Sequence, residues 1–403
     1  MIRFKRTLGL IAVLIAAFAA LVYAFELAPG RIRNPDGNGL QFFMSAAYNS
    51  DQDEYLITYE GGTPYALRLS PTTNAIVGSE ITLGPNTSVQ DSAGAYNPDR
   101  NEYLVVWRND SPANISGRYL DGNGQPIGSS FSIGVGIDVR VQYNPVDRRY
   151  IVVYFRYLAN GPSVFYRMVD GDSTSDPHLL TDQALVASGA LSSRVAYSSV
   201  SNKFLIAYAV DAPPPTRSDI RARFVTGQGS LLGGLTVAGG QKGQQIPEIA
   251  YCASKDLFMI QFEDWSAGAF PNVNAQFVSG STQTLVGARF GTTPGDPGWN
   301  VPGPVTCNDV TGKFVTTQFV AVSTIAREVD ISTPTSPVLG PNILVSNENA
   351  FPTGIASRPD PFDPQVLVVW RNVNGADGVH AGVIHLPPPP PTFISNQMPI
   401  GAI

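Results

Sequence analysis

An all-β, seven-bladed β-propeller of four-stranded antiparallel blades is the fold this sequence predicts, on three observations. An aromatic skeleton recurs seven times along the 403 residues. The runs between its turns have the periodicity of strands, not helices. The 39 glycines and 33 prolines fall between those runs, where turns are needed.

The skeleton is clearest in Ala95-Tyr96-Asn97-Pro98-Asp99-Arg100-Asn101-Glu102-Tyr103-Leu104-Val105-Val106-Trp107: an aromatic, a polar turn, a second aromatic, then a third. It recurs as Tyr48, Tyr55 and Tyr59; as Tyr143, Tyr150 and Tyr154; as Tyr197, Phe204 and Tyr208; and as Tyr251, Phe258 and Phe262. The sixth copy is degraded to Cys307, Phe314 and Gln318, and the seventh keeps only Val366 and Trp370. The spacing is about fifty residues, within the range of blade repeats.

Within one copy each element has its own reason. Val139-Arg140-Val141-Gln142-Tyr143 alternates apolar and polar residues, as a strand with one buried face does. Asn-Pro-Asp then supplies a tight turn. Tyr150-Ile151-Val152-Val153-Tyr154 is apolar on both faces and suits a strand between two packed sheets. A third strand is predicted around Ile115 to Leu120, a hairpin at Asp121-Gly122-Asn123-Gly124, and a short fourth strand at Ser130 to Ile133. Four antiparallel strands per repeat favour a closed ring, because closure protects edges that a linear array exposes. Two segments are candidates to complete the seventh blade: Thr392-Phe393-Ile394-Ser395, or the stretch near Phe25 to Arg33.

The ends of the chain read differently. Arg3, Lys5 and Arg6 precede an uncharged apolar run from Leu8 to Phe25, with Val22-Tyr23-Ala24 as a small-x-small cleavage site. Residues 1–24 therefore read as a signal peptide, or as an N-terminal membrane anchor if uncleaved. Either places the propeller, residues 25–386, outside the cytoplasm: secreted, periplasmic or on the cell surface. Residues 387–403 form a proline-rich tail, a stiff spacer that also reads as a docking segment. Hydrophobic residues are 43% of the chain and charged ones 14%, enough for a large core. A net charge of −6 with no basic run beyond the first residues argues against nucleic acid or anionic membrane surfaces as partners.

The repeat resembles one common in exported bacterial β-propeller proteins, with the pattern VAYN…YLVVW…I.GR.LD..G.PIGS.F.I, over roughly Phe42 to His385 and best in the second copy. The resemblance implies the fold and an extracytoplasmic setting. It implies no activity, because the matching residues are core and turn residues.

Catalytic signatures are absent: no nucleophile elbow, zinc-protease, P-loop or dinucleotide motif occurs. His380 and His385 fall on opposite faces of one strand, and no metal or cofactor is expected. Asp170, Asp172 and Asp176 imitate a calcium loop, but Ser175 and Thr181 stand where glycine and glutamate are required, so a solvated turn is expected. Cys252 and Cys307 fall one register position apart on neighbouring inner strands; a disulfide and two buried thiols remain open, the offset arguing against the bridge. The third-strand column Arg68, Arg118, Arg167 and Arg223 reads as a repeated pairing of the outer strands.

Residues that the blades do not require are the better functional candidates. Asp91 and Asp138, five residues before the first aromatic, and Arg140, Arg194 and Glu248, three before it, are predicted to gather at one mouth of the central channel. Trp265 and Trp299 lie outside the aromatic columns, in Gly-, Pro- and Asp-rich loops. The leading expectation is a non-enzymatic binding or scaffolding propeller that engages a protein or glycan through loops on one face. A carbohydrate-active hydrolase or lyase using the channel acids is the alternative, and a structural subunit of a larger cell-surface assembly is the third.

Overall fold

The computed structural model describes residues 25–27 and 44–389, apart from 86–88, 111–112, 212–217, 241–242, 267, 269, 294–297 and 373–377. The leader at 1–24, Thr392 to Ser395 and the rest of the tail beyond 389 lie outside the described residues, as does most of the Asp211–Pro215 insertion.

The chain forms seven antiparallel sheets, the first six running from an innermost to an outermost strand in chain order. The second blade is representative: Val89–Asn97, Glu102–Asp110, Ala113–Asp121 and Pro126–Gly134. The sixth differs, its outer strand being split into Val338–Leu339 and Ile343–Ser346. In the seventh the first three strands are Ala350–Arg358, Gln365–Asn372 and Val379–His385, and the fourth is Phe25–Leu27 from the other end of the chain. Phe25 pairs with Ile384 and Leu27 with Gly382, so the N-terminal candidate, not the C-terminal one, closes the ring. Each innermost strand packs on that of the next blade, and the seventh on the first.

The aromatic skeleton fills the spaces between blades. Second aromatics Tyr55, Tyr103, Tyr150, Phe204, Phe258 and Phe314 are wholly buried. The first and second aromatics of one blade tilt together, with centroids 5.5 Å apart for Tyr48–Tyr55 and 4.8 Å for Tyr143–Tyr150 and Tyr251–Phe258. Such tilted contact suits the ring quadrupoles.

The residue after the first aromatic carries a second periodic role that the aromatic pattern had masked. Successive strand residues point to opposite faces. The first aromatic faces the preceding blade, as Tyr143 does in donating to Asp99 at 2.7 Å. Its neighbour therefore faces the next one. Asn49 Nδ2 donates to Asn101 Oδ1 (3.1 Å), Asn97 to the Gly171 carbonyl (2.9 Å), Asn144 to Asn202 (3.0 Å) and Ser198 to Asp256 (3.5 Å). Asn308 donates to the Arg358 carbonyl at 3.0 Å. Arg358 forks onto Asp53 of the first blade, Nε–Oδ1 2.6 Å and Nη2–Oδ2 2.9 Å. The remaining junction, between the fifth and sixth blades, holds the Cys252–Cys307 disulfide, with Cα atoms 5.2 Å apart. The expected obstacle is thus reversed. Cys252 occupies the forward-facing position and Cys307 the backward-facing one, so the one-residue offset is what aims the two sulfurs at each other.

The third-strand arginines do more than pair outer strands. Arg118 and Arg223 each donate to a carbonyl of their own outer strand, Gly128 and Leu232, and to one of the preceding blade, Leu83 and Val186. In the sixth blade, where Glu328 holds the column, the adjacent Arg327 reaches back to the Thr292 carbonyl.

Two outcomes follow for the ring. Asp53→Asn keeps a residue tolerant of the left-handed φ of 50° found there but removes the charge that Arg358 grips. It is expected to lower stability by about 1–2 kcal/mol, the lower part of the range for a charged hydrogen bond because Asp53 is partly exposed, read as a lower urea midpoint. Reducing the disulfide opens a loop of 55 residues. The chain-entropy model puts the loss at about 4 kcal/mol, measured by urea unfolding with and without reductant; an unchanged midpoint would contradict the stapling role.

Candidate functional site at the channel mouth

Alternating strand directions sort the loops onto two faces. One carries the hairpins between first and second strands, together with the ring of inter-blade links just described. The opposite face, called here the open face, carries the second-to-third-strand hairpins and the blade-to-blade connections. The inner strands begin at the open face, and all five predicted charged residues lie near that beginning.

A recurrent irregularity places them. In the third to sixth blades the first two strands lose register at Ile137/Arg140, Leu191/Arg194, Gln245/Glu248 and Pro302/Val305. Asp138, Ser192 and Ile246 adopt positive φ of 54°, 51° and 49° at these bulges. Such a bulge re-aims side chains beside it. For Ile246 the conformation is strained, because a β-branched residue crowds its own backbone there.

The charges join into one chain across four blades. Asp91 Oδ2 accepts from the backbone N–H of Asp138 at 2.8 Å. Arg108 approaches the same oxygen at 3.9 Å. Asp138 accepts from Arg140 Nη2 at 2.9 Å and from Arg194 Nη1 at 3.0 and 2.9 Å. Arg194 Nε donates to Glu248 Oε1 at 2.8 Å. Asp91, Asp138 and Arg194 are buried. Burial works against the Asp138 carboxylate, but Arg140 and Arg194 outweigh it and hold its pKa below the ordinary value. Burial and the charge of Asp138 raise that of Asp91, whose Oδ1 has no partner among the described residues. Burial, then the charge of Arg194, lowers the pKa of Arg140.

Within the ring lies a cavity of about 350 Å³ to which the innermost strand of every blade contributes: its lining includes Ala46, Gly94, Arg140, Arg194, Glu248 and Pro304, and residues of the seventh blade. Arg140, Arg194 and Glu248 line it, whereas Asp91 and Asp138 stand behind as counter-charges. Sequence reasoning missed two further contributors. Arg371 and Phe351 of the seventh blade also line the cavity, Arg371 sitting 5.7 Å over the Phe351 ring, which stacks on Phe319 at 4.2 Å. Their copy had lost the aromatic pattern that would have aligned them.

The two tryptophans meet at a residue that the pattern did not single out. Trp265 Nε1 donates to Glu263 Oε2 at 3.0 Å and Trp299 Nε1 to Glu263 Oε1 at 3.1 Å. Glu263 is 2% exposed, Trp299 52% and Phe270, in the same hairpin as Trp265, 59%. Burial raises the Glu263 pKa, opposed by the two indole donors. One buried carboxylate thus fixes two indoles on the open face, outside the cavity lining. The Asp170 loop is a turn closed on itself, Asp170 Oδ1 accepting from Asp172 N and Asp172 Oδ1 from Thr174.

Opposite stability effects are expected from the two buried aspartates. Asp138→Asn leaves the guanidiniums of Arg140 and the buried Arg194 without the carboxylate they share and costs about 3 kcal/mol at neutral pH. Because the folded pKa of Asp138 is lowered, its contribution is present above the ordinary 3.8 and lost as pH falls through the folded value, so the penalty shrinks in acid. Asp91 has a raised folded pKa, so it costs stability as pH rises from 3.8 through that value. Asp91→Asn is therefore neutral or stabilising at pH 7, with the gain disappearing toward pH 3.8. Urea midpoints of both variants against pH check the two signs.

No family model matches the chain, and no curated protein does. Solved structures match it as folds. A chain of Kuenenia stuttgartiensis hydrazine synthase aligns with TM-score 0.61 and 13% identity, over 88% of this chain and 97% of that one. A chain of the mitotic checkpoint complex gives 0.57 and 10%, over 90% and 93%. The polysaccharide lyase Uly1 gives 0.51 and 9%, over 83% and 88%. At such identities the likeness shows the propeller architecture alone.

Proposed function

We propose that this chain is a non-enzymatic, extracytoplasmic binding or scaffolding propeller that takes a protein partner on its open face. The observation that carries the reading is the Glu263 clamp: two tryptophans held by one buried carboxylate, with Trp299 half exposed and the exposed Phe270 in the Trp265 hairpin. Rigid, partly exposed aromatics of this kind are the residues that dominate protein interfaces.

Attachment geometry supports the same face. The seventh blade's third strand ends at His385 and its fourth begins at Phe25, both at the end opposite the open face. Anything joined to either terminus leaves from that side, so the clamp faces away from it. The resemblance to exported repeat proteins and the leader-like first residues support an extracytoplasmic site of action. The fold neighbours include a chain of a multiprotein assembly, in keeping with a scaffold. Nothing comparable favours hydrolysis: Asp138 is ion-paired with Arg140 and Arg194, and Glu248 with Arg194.

Cross-linking on whole cells, followed by binding measurements with the captured partner, tests the reading. Trp299→Ala is expected to weaken partner binding by at least about 10-fold, a loss of about 1.4 kcal/mol or more. Phe362→Ala, 90% exposed on the opposite face, should leave it unchanged. Binding lost on a glycan array instead would replace protein with glycan as the partner. Polysaccharide turnover abolished by Asp138→Asn would defeat the non-enzymatic reading.

A further inference from the structure

The channel mouth is a separate site with its own chemistry. Its cavity of about 350 Å³ is lined by three arginines, Arg140, Arg194 and Arg371, against one carboxylate, Glu248. In a chain whose net charge is −6, three arginines thus line one cavity at the axis.

The bonding of Arg194 narrows the ligand. Its Nε is spent on Glu248 and its Nη1 on Asp138 and the Ser193 carbonyl, an arrangement that fixes the guanidinium plane. Its Nη2 has no acceptor among the described residues and is not sealed from solvent, although the side chain is 10% exposed. A rigidly held guanidinium nitrogen at the wall of a cavity is a donor awaiting an anionic oxygen. The lining also has an apolar part: Phe351, backed by Phe319, and Pro304. The volume lies near the lower end for ligand sites, enough for a body of one small ring.

We propose that the channel mouth binds a small organic carboxylate, its carboxylate on Arg194 with Arg140 and Arg371 and its apolar body against Phe351 and Pro304. The site is independent of the protein-binding clamp at Glu263, which lies outside the cavity.

Calorimetric titration of the purified protein with benzoate, benzamide and acetate tests it. Benzoate is expected to bind saturably and to raise the thermal midpoint with concentration, as any ligand of the native state does. Benzamide, similar in shape but uncharged, should bind at least about 10-fold more weakly, the charge-assisted bonds being lost. Acetate should be weaker by a similar factor of about 10, since it lacks the apolar body. Arg371→Gln, which leaves the Asp138 pairs intact, should weaken benzoate about 10-fold without altering the binding of the face partner. Undetectable benzoate binding in the millimolar range, or equal binding of benzoate and benzamide, would overturn the proposal. Equal binding of acetate and benzoate would overturn the assignment of the apolar wall. The benzoate–benzamide contrast uses the wild-type protein, so it decides even if the variant fails to fold.

Discussion

A four-stranded blade with apolar residues on both faces cannot stand by itself, and closure of the ring is the constraint on which the rest of this structure depends. Each blade buries its aromatics against the next, and the last can do so only by meeting the first. The polar link beside the first aromatic is set at every junction to hold that arrangement. Its chemistry changes around the ring, from asparagine to serine to a disulfide to an arginine–aspartate fork, while its position does not. The strongest forms stand beside the most degraded copies: the disulfide enters the sixth blade, and the charged fork joins the seventh to the first. Where aromatic packing is thinnest, covalent or charged contacts take its place.

The same closure divides the molecule into two ends with different duties. At one end the links hold the blades together and both chain ends of the seventh blade emerge. At the other end the inner strands are bulged, and the bulge releases their first residues from regular pairing. Asp91, Asp138 and Arg194 are buried together at that end. Asp138 shows why the network persists: it is held by two arginines, one from its own strand and one from the next blade, so the pairs also stitch neighbouring blades. Asp91 is the weak member, buried with an unmatched oxygen, and its raised pKa reflects it.

The Glu263 clamp follows a similar logic on the outside of the mouth. A buried carboxylate lacking a cation must be satisfied by neutral donors. Two indole N–H groups supply them, and the cost is that two large aromatics are fixed at the surface. The residue at the corresponding point of other blades is Glu60, Arg108 or Arg371, so this position is polar or charged around much of the ring and acquires its use from the loops above it.

The sequence by itself determined the blade count, the strand order within a blade and the core columns, because strand periodicity and turn chemistry are local and repeat. It also put Asp91, Asp138, Arg140, Arg194 and Glu248 at similar heights, since equal register in equal blades means equal height along the axis. It did not show that Arg140, Arg194 and Glu248 line the cavity while Asp91 and Asp138 do not. Tertiary structure decided what meets across a blade boundary. That Cys252 and Cys307 face each other, that Arg358 closes on Asp53, that Phe25–Leu27 supplies the seventh outer strand and that Trp265 and Trp299 share Glu263 all depend on which face a side chain takes and which strand lies opposite it. A repeat pattern records the period of a blade. The contacts between blades arise from the alternation of faces within that period and from the ring that brings distant copies together.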